Sequence, residues 1–447
     1  MKTYPDIGVQ IPQILLPRPG IDLTKWAVIA CDQFTSQPDY WAQVEKIVGD
    51  SPSTLHLTFP EFFLGKPGME ERIQRAQLKM REYLARHLLE PHDGMIYIER
   101  SIAQKTRKGL LLALDLDIYD FHTGSHSLIR ATEGTILERI PIRMRLREGA
   151  ALDLPHVMVL IDDPEHTVIE PLEYAKQSLP RLYDFDLMLG SGHLAGYQVD
   201  NATLEDQIIQ ALRNLAGPEL YRNKYHLSEN QNVLLFAMGD GNHSLASAKS
   251  VWDKMKPQVK RDHPARYALV EIVNLHDPAL DFEPIHRVLF GVNQDFRIAM
   301  KQYYGEDIAI TSCQGRDKMV DYVGQTGRSG QVVGVANDQG CALVEFTRPT
   351  SNLAVGTLQP FLDTFVKQGG ATRIDYIHGA DTFFRLCAQP GVVGFYLPVL
   401  GKNELFKTVI VDGVLPSKTF SMGEAHEKRF YMESRIYSLD LQEDHIP

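Results

Sequence analysis

Cysteine is scarce: four in 447 residues. Cys31, Cys313, Cys341 and Cys387 form no C-x-x-C pair, so neither a zinc ribbon nor a disulfide framework is indicated. No run approaches the roughly 20 apolar residues that a membrane-spanning helix needs. The opening MKTYPDIGVQIPQILLPRPG lacks the apolar stretch of a signal peptide. Excess positive charge is also missing. The net charge is −11 and the pI about 5.8, so the mean field repels phosphate backbones and anionic lipid. Neither nucleic acid nor membrane is expected as a partner, and the cytosol is the simplest compartment. The usual phosphate loops are absent: no G-x-x-x-x-G-K-[ST] occurs, and the G-x-G at 239–241 lacks the third glycine of the dinucleotide fingerprint.

What is present is an ordinary core-forming composition, 44% apolar and 23% charged. At roughly 100 to 200 residues per domain it predicts two or three domains. Strand-like runs (KWAVIACDQF, MIYIER, GLLLALDLDIYDF, NVLLFAMGD, ARYALVEIVNL) alternate with helical periodicity (MEERIQRAQLKMREYLARHLLE, NATLEDQIIQALRNLAG). The predicted class is α+β, mixed sheets with surrounding helices. The boundaries expected are 1–130, 131–290 and 291–447, with a small second or inserted domain around 293–348.

The most informative stretch is VLLFAMGDGNHSLASAKSVWDKM, residues 233–255. Its apolar run reads as a central strand ending at Met238. From His243 onward, Leu245, Ala248, Trp252 and Met255 recur at helical spacing. Between lie Gly239, Asp240, Gly241 and a small polar group placed to cap, Asn242 or Ser244. A helix start presents unpaired N–H groups and a positive dipole end, and glycines let an anion approach the backbone. His243 is placed to donate to a phosphate oxygen or a substrate hydroxyl, and Asp240 to hold Mg²⁺ or accept a proton. The competing explanation is a tight Asp-Gly turn with a capped helix and a surface histidine.

This box resembles the D-G-H-H-R box of the family catalogued as domain of unknown function 1015, itself similar to that of the ParB and sulfiredoxin superfamily. ACDQFTSQPDYW, RATEGT, FEPIHRVL, YIHGAD, GFYLPV and LPSKTFSMGEAHEKRFYMESR resemble the same family, so the likeness spans nearly the whole chain. It implies a ParB/sulfiredoxin-like nucleotide-binding core over 131–290, flanked by α+β regions, the C-terminal one packing back on the core. It also implies phosphate gripping at the box, and a kinase that uses ATP or ADP with Mg²⁺ on a small hydroxyl acceptor, most plausibly free L-serine. A nucleotide-binding regulatory protein without transferase activity is the alternative. One departure stands out: Ser244 occupies the place where the family box commonly has arginine, and Lys249, Arg287 or Lys418 are the replacements expected.

The resemblance makes Glu133, in RATEGT, the carboxylate that orients and deprotonates the acceptor hydroxyl. Asp32, at a strand end where α/β proteins gather chemistry, joins the catalytic candidates. His286, Arg287, Lys418 and Arg429 join Gly239, Gly241, Asn242 and Ser244 as cofactor-binding candidates. The sequence leaves a homo-oligomer open.

Overall fold

YALVEIVN, apolar at most positions, is what a strand covered on both faces requires. All eight residues of the strand Tyr267–Asn274 are buried. In the computed structural model, which describes residues 1–135, 140–227, 232–325, 330–416 and 418–438, this strand lies near the middle of a large mixed sheet. It pairs antiparallel with Lys105–Asp115 and parallel with Met158–Ile161. Outward on one side follow Met95–Ile102, His193–Val199 and Arg181–Asp186; on the other follow Phe236–Asp240, Ile129–Arg130 and Tyr119–Asp120.

The chain divides into two units: Met1–Leu280 together with Glu424–Pro447, and Asp281–Gly423. The mixed α+β class is as expected. The divisions differ from 1–130, 131–290 and 291–447. A boundary at 130 would cut the large sheet, because Ile129–Arg130 pairs in parallel with Phe236–Asp240. The final segment belongs to the first unit, where Phe430–Tyr431 pairs with Val28–Ile29 and Arg435–Ile436 with Leu152–Asp153.

A strand this buried still carries a carboxylate. Glu271 is 1% exposed and survives there because Arg429 Nη1 lies 2.6 Å and Arg107 Nη2 3.4 Å from it. Arg429 also donates to Glu433 at 2.5 Å and to the Pro155 carbonyl at 3.1 Å. Gly109, on the adjacent strand, makes the room: a Cβ there would stand 2.5 Å from Glu271 Oε1.

The helix predicted from residue 69 runs Met69–Ala85 and buries Ile73, Ala76, Met80 and Tyr83. Leu78, although apolar, points outward at 62% exposure, because the buried stripe follows the 73–76–80–83 steps.

The second unit is built on an antiparallel sheet in the order Ile308–Cys313, Gly340–Phe346, Gln331–Asn337, Val392–Tyr396, Phe282–Phe290 and Arg373–His378. His286, on the strand Phe282–Phe290, is 1% exposed, its ring stacked on Tyr396 at 4.0 Å. Nδ1 accepts from Leu397 N at 3.1 Å. Burial, reinforced by neighbouring Arg287 and His378, pushes its pKa down to about 3.

A neutral histidine of this kind contributes stability above the unfolded-state pKa, and the contribution disappears as pH falls from 6.5 toward 3. About 2 kcal/mol is expected to be lost by pH 5 from this group alone. Urea unfolding of wild type and His286→Asn at pH 7.5 and 5 checks it: the variant should show a pH-dependent loss smaller by about that amount.

Candidate functional site

The box follows the strand Phe236–Asp240 and opens the helix Asn242–Met255. Each glycine has a backbone task. Opposite Met158–Ile161 the register jumps from Val159↔Met238 to Met158↔Asp240, so Gly239 is the extra residue of a β-bulge that re-aims Asp240. Gly241 takes φ +76° as the residue preceding the helix, and a Cβ there would meet Val157 Cα at 3.1 Å. The bare face of Gly241 is therefore turned against Val157, where close packing needs it. This corrects the expectation that its missing side chain serves an approaching anion.

The helix buries Leu245, Ala248, Val251 and Trp252, and leaves Met255 half-buried. Neither Asn242 nor Ser244 caps it; the cap position is Gly241, which makes no side-chain hydrogen bond to the first turn. The Asn242 side chain is engaged elsewhere. Its Nδ2 donates to the Glu133 carbonyl at 3.1 Å and to Thr135 Oγ1 at 3.3 Å, and its Oδ1 accepts from Tyr119 at 3.3 Å. Thr132 donates to the Met238 carbonyl at 2.7 Å. RATEGT is thereby pinned across the strand end and the helix start, bringing Glu133 to the box. Asp240, Asn242, His243 and Ser244 are all half-buried, as is Glu133.

A lysine from the returning tail completes the group. Lys428 Nζ lies 3.3 Å from Asp240 Oδ2, and Lys428 is only 8% exposed. The tail is held on both sides of it. Arg100 donates to the His426 carbonyl and Arg107 to the Glu427 carbonyl, each at 3.1 Å, and Arg429 is anchored on Glu271 and Glu433. Asp240 Oδ1 accepts from Gly241 N at 2.9 Å. The arrangement offers an anion a helix start without a side-chain cap and a cation at its edge, with the Asp240 carboxylate beside it and the Glu133 backbone held against Asn242.

The expected replacements for the family arginine are placed otherwise. Lys249 pairs with Asp253 at 2.9 Å. Arg287 and Lys418 belong to the other unit, where Arg287, fully buried, donates to Gln359 at 3.0 Å and to the Lys418 carbonyl at 2.8 Å. His286 is sealed into that unit's core, as described. Arg429, 3% exposed, is committed to its carboxylates. These burials correct the assignment of His286, Arg287 and Arg429 to phosphate contacts: no solvent-borne ligand reaches them. Lys428 stands in the tail's basic cluster in the sequence, yet nothing in the sequence distinguishes it from its neighbours there.

Asp32 lies in the turn after Val28–Ile29, with Gln33 Nε2 2.9 Å from its carboxylate. Its neighbour Cys31 lines a cavity of about 100 Å³ that also reaches Ser244 and Ser247 of the box helix. Burial pushes the Cys31 thiol far up, which disfavours its thiolate. Among the described residues no cluster of three metal-ligating side chains occurs. Asp240 supplies one carboxylate, which suits a Mg²⁺ held chiefly by nucleotide phosphates and water.

Among the described residues no helix is long and apolar enough to cross a membrane. No curated protein matches the chain. Similar solved structures include a conserved hypothetical protein from Pyrococcus furiosus at 10% identity and TM-score 0.35, covering 72% of this chain and 93% of that one. SbnI with a C-terminal truncation, from Staphylococcus aureus, matches at 10% and 0.35, covering 75% and 90%. A free serine kinase in complex with AMP matches at 9% and 0.37, covering 74% and 92%. Likeness this distant carries no argument about chemistry. The family model described as protein of unknown function DUF1015 matches residues 15–365, and the chain belongs to that family.

Proposed function

We propose that the protein is a small-molecule kinase that binds ATP or ADP with its phosphates at the start of the helix Asn242–Met255 and transfers the terminal phosphoryl group to a hydroxyl acceptor. The observation that carries this reading is the group assembled there: a helix start without a side-chain cap, Lys428 3.3 Å from Asp240, and Glu133 tied to the box through Asn242. Helix-start amides and a lysine counter phosphate charge, and phosphoryl transfer needs chiefly positioning and charge neutralisation.

In the reaction the acceptor oxygen attacks the terminal phosphorus as the bond to the bridging oxygen breaks. The hydroxyl proton passes to Glu133, and ADP or AMP leaves. His243, in the first helical turn, donates to a phosphate oxygen. Mg²⁺, arriving with the nucleotide, would neutralise phosphate charge, and Asp240 would be its protein ligand. The family resemblance names the acceptor to try first, free L-serine. Incubation with ATP or ADP and an amino-acid mixture, followed by ³¹P NMR, should produce a new phosphomonoester signal. Nucleotide binding with no transfer to any amino acid would instead favour the regulatory reading.

A further inference from the structure

The helix Met69–Ala85 borders a second cavity, of about 260 Å³. Arg72, Arg75 and Lys79 line it, and their three- and four-residue steps place them along one helix face. Like charges at this spacing repel and weaken a helix unless an anion lies among them. Among the described residues that line the cavity, these three cations meet one carboxylate, Glu45. Its Oε1 is 3.8 Å from Arg72 Nη1, beyond hydrogen-bond length. The Arg72 guanidinium lies over the Phe63 ring, 3.7 Å from the centroid, a stacking that orients its plane without using its N–H donors. Lys79 Nζ is 2.6 Å from Glu82, a carboxylate that Arg86 also approaches at 3.0 Å. His56, also in the wall, adds no charge at neutral pH, because burial lowers its pKa and the Lys79 charge lowers it further. Leu55, Phe59 and Ala76 give the cavity an apolar side.

We propose that this cavity binds a small phosphomonoester, its phosphoryl group among Arg72, Arg75 and Lys79 and its short carbon body against Leu55, Phe59 and Ala76. The three cations less Glu45 leave two positive charges in the wall, which match a phosphomonoester that is close to a dianion at neutral pH. The arginine fork fits phosphoryl oxygens, and its hydrogen bonds to them are charge-assisted. The volume exceeds the about 150 Å³ that takes benzene, so a phosphoryl group and a body of a few carbons fit together. The site is separate from the box, since none of Asp240, Asn242, His243, Ser244 and Lys428 is among the residues lining it. The inference does not depend on the kinase reading.

The test is calorimetric titration of the full chain, without nucleotide and at constant ionic strength, with n-propyl phosphate, inorganic phosphate and butyrate. Propyl phosphate should bind saturably, and at least about threefold tighter than inorganic phosphate, because its carbons are buried against the apolar side. Butyrate, with a similar body and one negative charge, should bind at least about tenfold more weakly than propyl phosphate. The double variant Arg75→Gln/Lys79→Gln should fold, because Arg75 is exposed, the Lys79 side chain is 38% exposed, and Arg86 remains beside Glu82. It should lose propyl phosphate affinity by about tenfold or more. No saturable binding of propyl phosphate up to roughly 10 mM, equally tight binding of inorganic phosphate or butyrate, or wild-type affinity in the double variant overturns the proposal. Propyl phosphate binding that the double variant loses, in a protein with no affinity for ADP or ATP, would support this inference while removing the kinase reading.

Discussion

His243→Ala and Asp240→Asn are each expected to lower kcat by about 10²–10⁴-fold, the range for losing a positioned proton-transfer or charge-stabilising group. Both residues are half-buried at the helix start, so neither change opens a cavity in the core. Asparagine at 240 retains an oxygen for the Gly241 N–H, which lies 2.9 Å from the carboxylate in the native chain. Melting temperatures should accordingly move by no more than about 2–4 °C, the shift that 1 kcal/mol produces in a domain of 150 to 250 residues. Steady-state kinetics with the acceptor found by ³¹P NMR, alongside thermal melting, measures both. Retained turnover in both variants removes the site assignment.

Arg429→Met is expected to destabilise the first unit by about 3–5 kcal/mol. Glu271 and Glu433 are 1% and 0% exposed, and Arg429 is the cation that lies between them at 2.6 and 2.5 Å. Methionine fills much of the volume and leaves two buried carboxylates short of a countercharge. Urea unfolding followed by tryptophan fluorescence measures the effect. A triple variant that also carries Glu271→Gln and Glu433→Gln should recover part of the loss, because removing all the charges together avoids the unpaired ones. Arg429 also fixes the backbone beside Lys428, so any folded Arg429→Met protein should bind nucleotide more weakly. An unchanged unfolding midpoint would show that the network is not what holds the tail.

The helix at 242–255 was legible because Leu245, Ala248 and Trp252 repeat at helical spacing, and that periodicity depends only on neighbours along the chain. The strand before it was legible for the same reason. Its cap was not: Asn242 is a strong capping type, but its side chain is claimed by Glu133, 109 residues away. The arginines show the same limit. Arg287 and Arg429 read as solvent-facing cations beside motifs, and only tertiary partners such as Glu271, 158 residues from Arg429, make their burial tolerable. Glycine carried two meanings that the sequence cannot separate. At Gly239 it marks a bulge and at Gly241 a left-handed turn against Val157, so neither glycine alone signals a ligand. The unit Asp281–Gly423 was only partly legible, because both its limits fall in ordinary connecting chain.

The most direct test of the central claim is isothermal titration of ATP and ADP, each with Mg²⁺, into wild type and Lys428→Met. Saturable binding in the wild type, weakened about tenfold or more by removing the one charge, is the expected result. A folded wild type that binds neither nucleotide, or a variant that binds both as tightly as the wild type, contradicts a phosphate site at the start of this helix.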